Sequence, residues 1–230
     1  MSTETALIVG AGTGLSASLA RLFTKEGMQV ALAARNKDKL ADLVTETGAR
    51  SYACDASDPD SVTQLFKAVD TDLGEPTVMV YNPSARVRGP IEELDREKVR
   101  DAVLITGYGG FLVAQEAVRR MLPKKSGTLL FTGASAGVKG YPNSSSFAMG
   151  KFALRGLCQS LARELQPKGI HVVHFVIDGG IAVPGDTREP RGQDGFLDPD
   201  AIADTYLQIL RQHRSAWSWE IELRPWLETF

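Results

Sequence analysis

Short apolar runs alternate with amphipathic segments from the first residues onward, as when strands are interleaved with helices. The runs "ALIV" from Ala6, "QVALAA" from Gln29, "RSYAC" from Arg50, "TVMVY" from Thr77, "GTLLFT" from Gly127 and "IHVVHFVI" from Ile170 predict strands, and "SWEIEL" predicts a last one. Helical patterns cover residues 15–25, 37–47, 61–73 and 97–121. The longest spans 145–165, where Phe147, Leu154, Leu157, Leu161 and Leu165 recur at helical spacing. This order implies a parallel sheet with helices on both faces. Nothing repeats at a fixed period. One long irregular piece, 179–198, mixes Gly, Pro and charge, and loops of that length tend to be lids or substrate loops.

The chain's 230 residues, 43% of them hydrophobic, suffice for one domain, 1–230, with a sizeable core. Its 26 Lys and Arg against 28 Asp and Glu leave a net charge of -2, so no global charge draws it to nucleic acid or to an anionic membrane. With no basic leader pattern and no apolar run of spanning length, a soluble, cytoplasmic protein is expected. Cys54 and Cys158 stand apart from each other and from any metal-ligand spacing, which predicts buried thiols, no disulfide and no metal.

Gly10, Gly12 and Gly14 in "GAGTGLSASLARLF" follow the first strand and open an amphipathic helix. Glycines there allow a sharp turn and close approach to a pyrophosphate, whose charge the helix amino terminus stabilises. A tight strand-to-helix connection with no ligand is the other reading. Together with strands ending at "AARN" and "CDAS", this turn resembles the short-chain dehydrogenase/reductase family over nearly the whole chain. The resemblance implies an α/β fold with a Rossmann-type, doubly wound, seven-stranded parallel sheet in a three-layer α/β/α sandwich, and a bound NAD or NADP. It assigns Gly10, Gly12, Thr13, Gly14 and Leu15 to the cofactor, although the family carries a further glycine where Ser16 stands.

At the end of the second strand an acidic residue would bind the ribose hydroxyls, whereas arginine accommodates a 2′-phosphate. This chain has Ala34, Arg35 and Asn36 there, with no carboxylate before Asp38, which points to NADP over NAD unless Arg35 is an ordinary surface cation. The resemblance also implies that Asp55 contacts the adenine, that Ala56 belongs to the cofactor site with it, and that Asn82 lies beside the cofactor. A turn former and a strand-end cap are the respective alternatives. The family's Asn-Ala-Gly is here Asn82-Pro83-Ser84.

In this family a tyrosine transfers a proton at the substrate oxygen while hydride passes to or from nicotinamide. A lysine four residues later lowers the tyrosine pKa and holds the ribose, a serine polarises the carbonyl, and an asparagine keeps a water relay. In "SSSFAMGK" the tyrosine position holds Phe147, and the lysine is Lys151. The serine position falls on Ala134, with Ser135 one step late, and the asparagine position aligns with Thr106. By this resemblance three of the four are replaced. Lys151 remains to hold the nicotinamide ribose, or is a solvated helix lysine.

Ser135, Ser144 and Tyr141 are candidate substitute donors, each with an ordinary cap, loop or backbone-bonded role as its alternative. In "IDGGIAV", Gly179 preserves the family's turn and the Ile181 backbone is placed for the nicotinamide carboxamide. Asp178 departs from the family's proline and either orients the loop or is a plain turn carboxylate. Arg86, Arg88, Arg188 and Arg191 border the implied cleft, to meet an anionic substrate or merely to solubilise.

Two functions stay open at this point. One is an NADP-dependent oxidoreductase with an altered proton-transfer site, acting on a small carbonyl, alcohol or activated alkene. The other is a catalytically inactive NADP-binding regulatory or partner protein on the same scaffold. The family implies self-association as a dimer or tetramer through the outer faces of helices 97–121 and 145–165. Trp217, Trp219 and Trp226 either cover the sheet edge or form a second contact.

Overall fold

The computed structural model describes residues 4–190 and 192–229, so Arg191 lies outside the described residues. Its strands are β1 (Thr5–Val9), β2 (Gln29–Ala34), β3 (Arg50–Ala53), β4 (Val78–Tyr81), β5 (Gly127–Thr132), β6 (Ile170–Ile177) and β7 (Glu220–Leu223). They form one parallel sheet in the order β3-β2-β1-β4-β5-β6-β7, the doubly wound Rossmann-type arrangement expected from the sequence. The order reverses between β1 and β4, which pair from Ala6 opposite Val78 to Val9 opposite Tyr81. Ligands of open α/β sheets bind in the crevice beyond the carboxyl ends of such a pair. Every residue of β1 and of β6 is buried, as a strand covered on both faces must be.

The helices are α1 (Leu15–Lys25), α2 (Ala41–Thr47), α3 (Pro59–Leu73), α4 (Arg96–Val103), α5 (Gly109–Met121), α6 (Ser145–Leu165) and α7 (Pro199–Leu210). Apolar residues of α1, α2 and α7 form the core on one face of the sheet, and those of α3, α5 and α6 form the core on the other. α7 is not among the helices predicted above, yet it carries ordinary start signals. Asp198 caps it by accepting the Asp200 N–H at 2.8 Å, and Pro199 opens it. Its Tyr206 stacks on Phe175 with 3.6 Å between ring centroids, and the Tyr206 hydroxyl meets Thr132 Oγ1 at 2.9 Å. This unpredicted helix therefore braces the end of β5 beside the cleft.

The predicted helix 97–121 is continuous but not uniform. Between α4 and α5 lies a π-helical turn, Leu104–Tyr108, and the Tyr81 hydroxyl inserts there to donate to the Ile105 carbonyl. Gly109 leaves room for it, since an added Cβ would run into the Tyr81 hydroxyl and lie 2.6 Å from the Ala56 carbonyl oxygen. Gly150 likewise lets α6 close on the turn, because its Cβ would lie 2.7 Å from Thr106 Cβ. These contacts seat the turn against the helix that carries Lys151.

Two of the three tryptophans belong to the fold itself. Trp217 stacks on His171 at 4.6 Å, and Trp219 packs against the core, whereas Trp226 remains 75% exposed. Cys54 and Cys158 are buried free thiols. Among the described residues no helix is long and apolar enough to cross a membrane.

Candidate functional site

A cleft of about 740 Å³ opens over the carboxyl ends of β1, β2 and β4 and is floored by the glycine turn. Gly10 takes φ +82°, and the N–H groups of Gly10 and Ala11 both donate to the Ala33 carbonyl at 2.9 Å, which ties the turn to β2. The N–H groups of Gly12, Thr13 and Gly14 find no acceptor among the described residues, and they sit at the start of α1. Such unpaired donors at a helix amino terminus favour an anion. Leu15 contributes its backbone to the same first turn while its side chain enters the core.

Ser16, standing where the family has glycine, is buried and used. Its hydroxyl donates to the Gly10 carbonyl at 3.1 Å and accepts from Asn82 Nδ2 at 2.7 Å. Each such bond contributes about 1 kcal/mol, and together they lock the glycine turn, α1 and the end of β4 to one another. Asn82 also donates its N–H to the Val9 carbonyl at 2.9 Å, so it is a strand-end tie as well as a cleft residue.

Arg35 and Asn36 line the far end of this cleft together with Lys39, a second cation that sequence pattern alone does not single out. Asp38 is not on the lining; its N–H is received by the Asn36 side chain at 3.0 Å, so Asn36 caps the short turn after β2. Asp55 and Ala56 form the adjoining wall. Asp55 Oδ1 accepts the Ser57 N–H at 2.9 Å and the Ser57 hydroxyl at 2.6 Å, and these bonds hold its carboxyl below the usual range. It is thus a turn former that also faces the cleft.

A second cleft of about 790 Å³ continues from the first, with Asn82 and Ser84 common to both. Lys151 lies on it, 2% exposed, and its Nζ donates to the Thr132 carbonyl at 2.7 Å. Burial, and secondarily the Arg86 cation, pushes the Lys151 ammonium down to about 7. Lys151 is therefore not a solvated helix lysine. Phe147 packs with Ala134 and Ala136 in a small apolar cluster on the same wall. Arg86 lies over the Phe147 ring, 3.8 Å from its centroid, and Lys151 Nζ is 5.8 Å from it.

Ser135, Tyr141 and Ser144 all line this second cleft, so the fold brings the three hydroxyl residues to one place. α6 begins at Ser145, which leaves Ser144 just outside the helix with φ -135° and a side chain that caps nothing. Thr106 does not reach the cleft lining. It is fully buried in the π turn, where Oγ1 accepts the Ala85 N–H at 3.2 Å. Ser146, which the sequence pattern does not mark, is also fully buried, and its hydroxyl both donates to the Val87 carbonyl and accepts the Val87 N–H at 2.9 Å. Its only local signal is a serine on the inward side of a helix start.

At the carboxyl end of β6, Gly179 takes φ +158°, and a Cβ there would lie 2.6 Å from Pro225 Cδ. The buried Asp178 carboxylate lies 3.5 Å from Arg224 and 3.7 Å from Lys139, which gives it a loop-orienting place rather than a solvated one. Ile181 bridges to Leu197, its carbonyl accepts from Arg188 Nη2 at 2.6 Å, and its N–H has no acceptor among the described residues. Arg188 is further held by Asp186 and stacks over Phe196 at 4.6 Å, so it serves the loop instead of standing free in the cleft.

The family profile described as short chain dehydrogenase matches residues 4–190. A short-chain dehydrogenase from Rhodopseudomonas palustris, known by crystal structure, is 36% identical, covers 97% of this chain and 99% of its own, and superposes with a TM-score of 0.85. An uncharacterized oxidoreductase from Staphylococcus aureus strain N315 is 26% identical over 98% of each chain. An alcohol dehydrogenase from the archaeon Thermococcus sibiricus, solved in complex with 5-hydroxy-NADP, shares the fold at 23% identity and a TM-score of 0.86, covering 99% of this chain and 98% of its own. Since the profile runs without a break from the glycine turn through the reversal of the sheet to the helix that carries Lys151, the chain belongs to the short-chain dehydrogenase family.

Proposed function

We propose that the protein is an NADP-dependent oxidoreductase with an altered proton-transfer site, acting on a small carbonyl, alcohol or activated alkene. The observation that supports this reading best is the junction of the two clefts at Asn82 and Ser84, with cations at one end and buried Lys151 at the other. The free donors at the start of α1 suit a pyrophosphate, and Arg35 and Lys39 suit a 2′-phosphate. The unpaired Ile181 N–H suits a carboxamide oxygen. A nicotinamide cofactor, when bound, supplies or receives the hydride.

Lys151 holds the ribose side of the cleft and keeps a positive charge near the reacting oxygen below its pKa of about 7. Phe147 supplies no proton. In this reading the donor is a water or one of Ser135, Tyr141 and Ser144. Holding the reactants together is worth up to about 7 to 11 kcal/mol, against the 10²- to 10⁴-fold of a positioned general acid, so turnover survives the loss of a tyrosine at reduced rate. The apolar cluster of Phe147, Ala134 and Ala136 favours a second reading, in which the protein binds NADP without turnover. Consumption of NADPH with a panel of small ketones, aldehydes and activated alkenes separates the two, because the second reading requires none.

NADPH is expected to bind at least tenfold tighter than NADH. Arg35→Ala removes most of that preference, since a lost hydrogen bond to a charged group costs about 1.5–3 kcal/mol. Calorimetric titration of both cofactors on both proteins measures it. Equal affinities in the native chain, or an unchanged preference in the variant, would refute the NADP assignment.

The reading includes self-association. Tyr108 and Phe111 at the start of α5, and Met149 and Phe152 on α6, are 43%, 41%, 54% and 45% exposed on neighbouring helices, too much apolar surface for one helix pair to leave in water without purpose. Light scattering at micromolar concentration is expected to give a dimer or tetramer, and Phe111→Glu with Phe152→Glu to shift it toward monomer. A native monomer with full cofactor affinity would rule assembly out.

A further inference from the structure

The strongest unassigned feature of the second cleft is Arg86. Its guanidinium covers the Phe147 ring at 3.8 Å, and the backbone on either side is pinned by a buried hydroxyl. Thr106 Oγ1 receives the Ala85 N–H at 3.2 Å, and Ser146 Oγ engages both the N–H and the carbonyl of Val87 at 2.9 Å. Thr106 and Ser146 are both fully buried, so the loop presents Arg86 from a rigid footing.

The charge around it is unbalanced. Neither Arg86 nor Arg88 forms an ion pair among the described residues, although both line the cleft. Asp178, on the lining, is engaged elsewhere by Lys139 and Arg224, and the loop's Asp186 is taken by Arg188. Glu228, also on the lining, accepts the Thr229 N–H and is not free. The enclosing walls, with Arg88 and Arg188 nearby, push the Arg86 guanidinium down from its ordinary range, although the side chain stays open to the cleft. A cation held against its neighbours and without a counter-ion is a place for an anion brought by the ligand. The planar fork of a guanidinium, immobilised on an aromatic face, matches a carboxylate in two parallel hydrogen bonds.

We propose that the substrate carries a carboxylate that pairs with Arg86 over Phe147, so that the protein acts on small oxo acids or hydroxy acids. This rests on the reading of the two clefts as an oxidoreductase site, and it deepens that reading by naming the substrate class. Arg88 adds to the field from the rim, while Thr106 and Ser146 are positioning residues that act through the loop.

The test uses acetoacetate and its methyl ester, which share a ketone and differ in charge, titrated calorimetrically into the full chain with and without NADP. The acid is expected to bind at least tenfold tighter than the ester. Arg86→Met removes that difference while NADP affinity and Tm stay unchanged, Arg86→Lys restores part of it, and Ser146→Ala lowers it without touching ester binding. Equal binding of acid and ester by a chain that binds NADP normally would overturn the carboxylate assignment alone. Arg86-dependent acid binding in a chain that binds no NADP would leave this inference standing and sink the oxidoreductase reading. Inorganic phosphate bound through Arg86 more tightly than acetoacetate would also overturn the assignment, in favour of a phosphorylated ligand.

Discussion

A chain carrying Phe147→Tyr together with Ala134→Ser is expected to reduce simple ketones with NADPH about 10²- to 10⁴-fold faster than the native chain, the range that a positioned general acid contributes. Both positions lie on the same cleft wall and touch within one apolar cluster, so the two hydroxyls would enter the site side by side. The surroundings suit an acidic phenol: Arg86 lies 3.8 Å over the ring, and Lys151 Nζ lies 5.8 Å from it. The Arg86 cation, joined by Lys151 below its pKa of about 7, favours the phenolate and lowers the phenol pKa toward the working range. The cost in stability should be small, since each change adds one oxygen beside open cleft. The measurement is steady-state NADPH oxidation with a fixed ketone, accompanied by NADPH titration. If the double variant binds NADPH as the native chain does and still gains nothing, the second cleft does not hold a carbonyl in line with the hydride, and the reading without turnover is the better one.

The fold was largely legible because its signals are local. Continuous apolar runs mark β1, β4, β5 and β6, which lie in the sheet as buried strands. α7 is not among the predicted helices, although Asp198, Pro199 and the spacing of Ile202, Tyr206 and Ile209 are helix signals, because it follows directly on the irregular stretch 179–198 and does not stand out from it. The π turn leaves no such trace, because Leu104–Tyr108 keeps helical spacing and its inserted partner, Tyr81, comes from a distant strand.

The same division runs through the site. Gly10, Arg35 and Lys151 are recognisable from the elements beside them, whereas the use of Ser16 depends on Asn82, 66 residues away, and that of Ser146 on Val87, 59 residues away. Arg86 stands out in the sequence only as one of four arginines bordering the implied cleft, and nothing there lays it on Phe147. Pairings of that kind are set by tertiary packing, which no short window of sequence contains.

Gly10→Ala and Gly12→Ala are expected to fail in opposite ways, although they lie two residues apart. Gly10 has φ +82°, and an added Cβ would lie 2.6 Å from Pro83 N, 2.8 Å from Pro83 Cδ and 2.9 Å from the Asn82 carbonyl carbon. Left-handed backbone costs an L-residue about 1–2 kcal/mol, and overpacking adds about 1–3 kcal/mol, so Gly10→Ala should lower stability by about 2–5 kcal/mol. For a chain of this size that is a fall in Tm of about 4–20 °C. The obstacle is backbone and a proline ring, which cannot rotate aside, and pushing Asn82 away also breaks its bond to Ser16. Around Gly12 a Cβ would meet nothing within 4 Å, and its φ lies outside the left-handed range. Gly12→Ala should therefore leave Tm nearly unchanged and instead place a methyl in the open floor of the first cleft, beside the N–H groups proposed to bind the pyrophosphate. NADPH affinity is expected to fall about 10- to 100-fold, the equivalent of about 1.5–3 kcal/mol for one lost hydrogen bond to a charged group. Thermal denaturation and calorimetry on the two variants separate the outcomes. A Gly12→Ala protein that binds NADPH as tightly as the native chain would mean that the pyrophosphate does not lie on this turn.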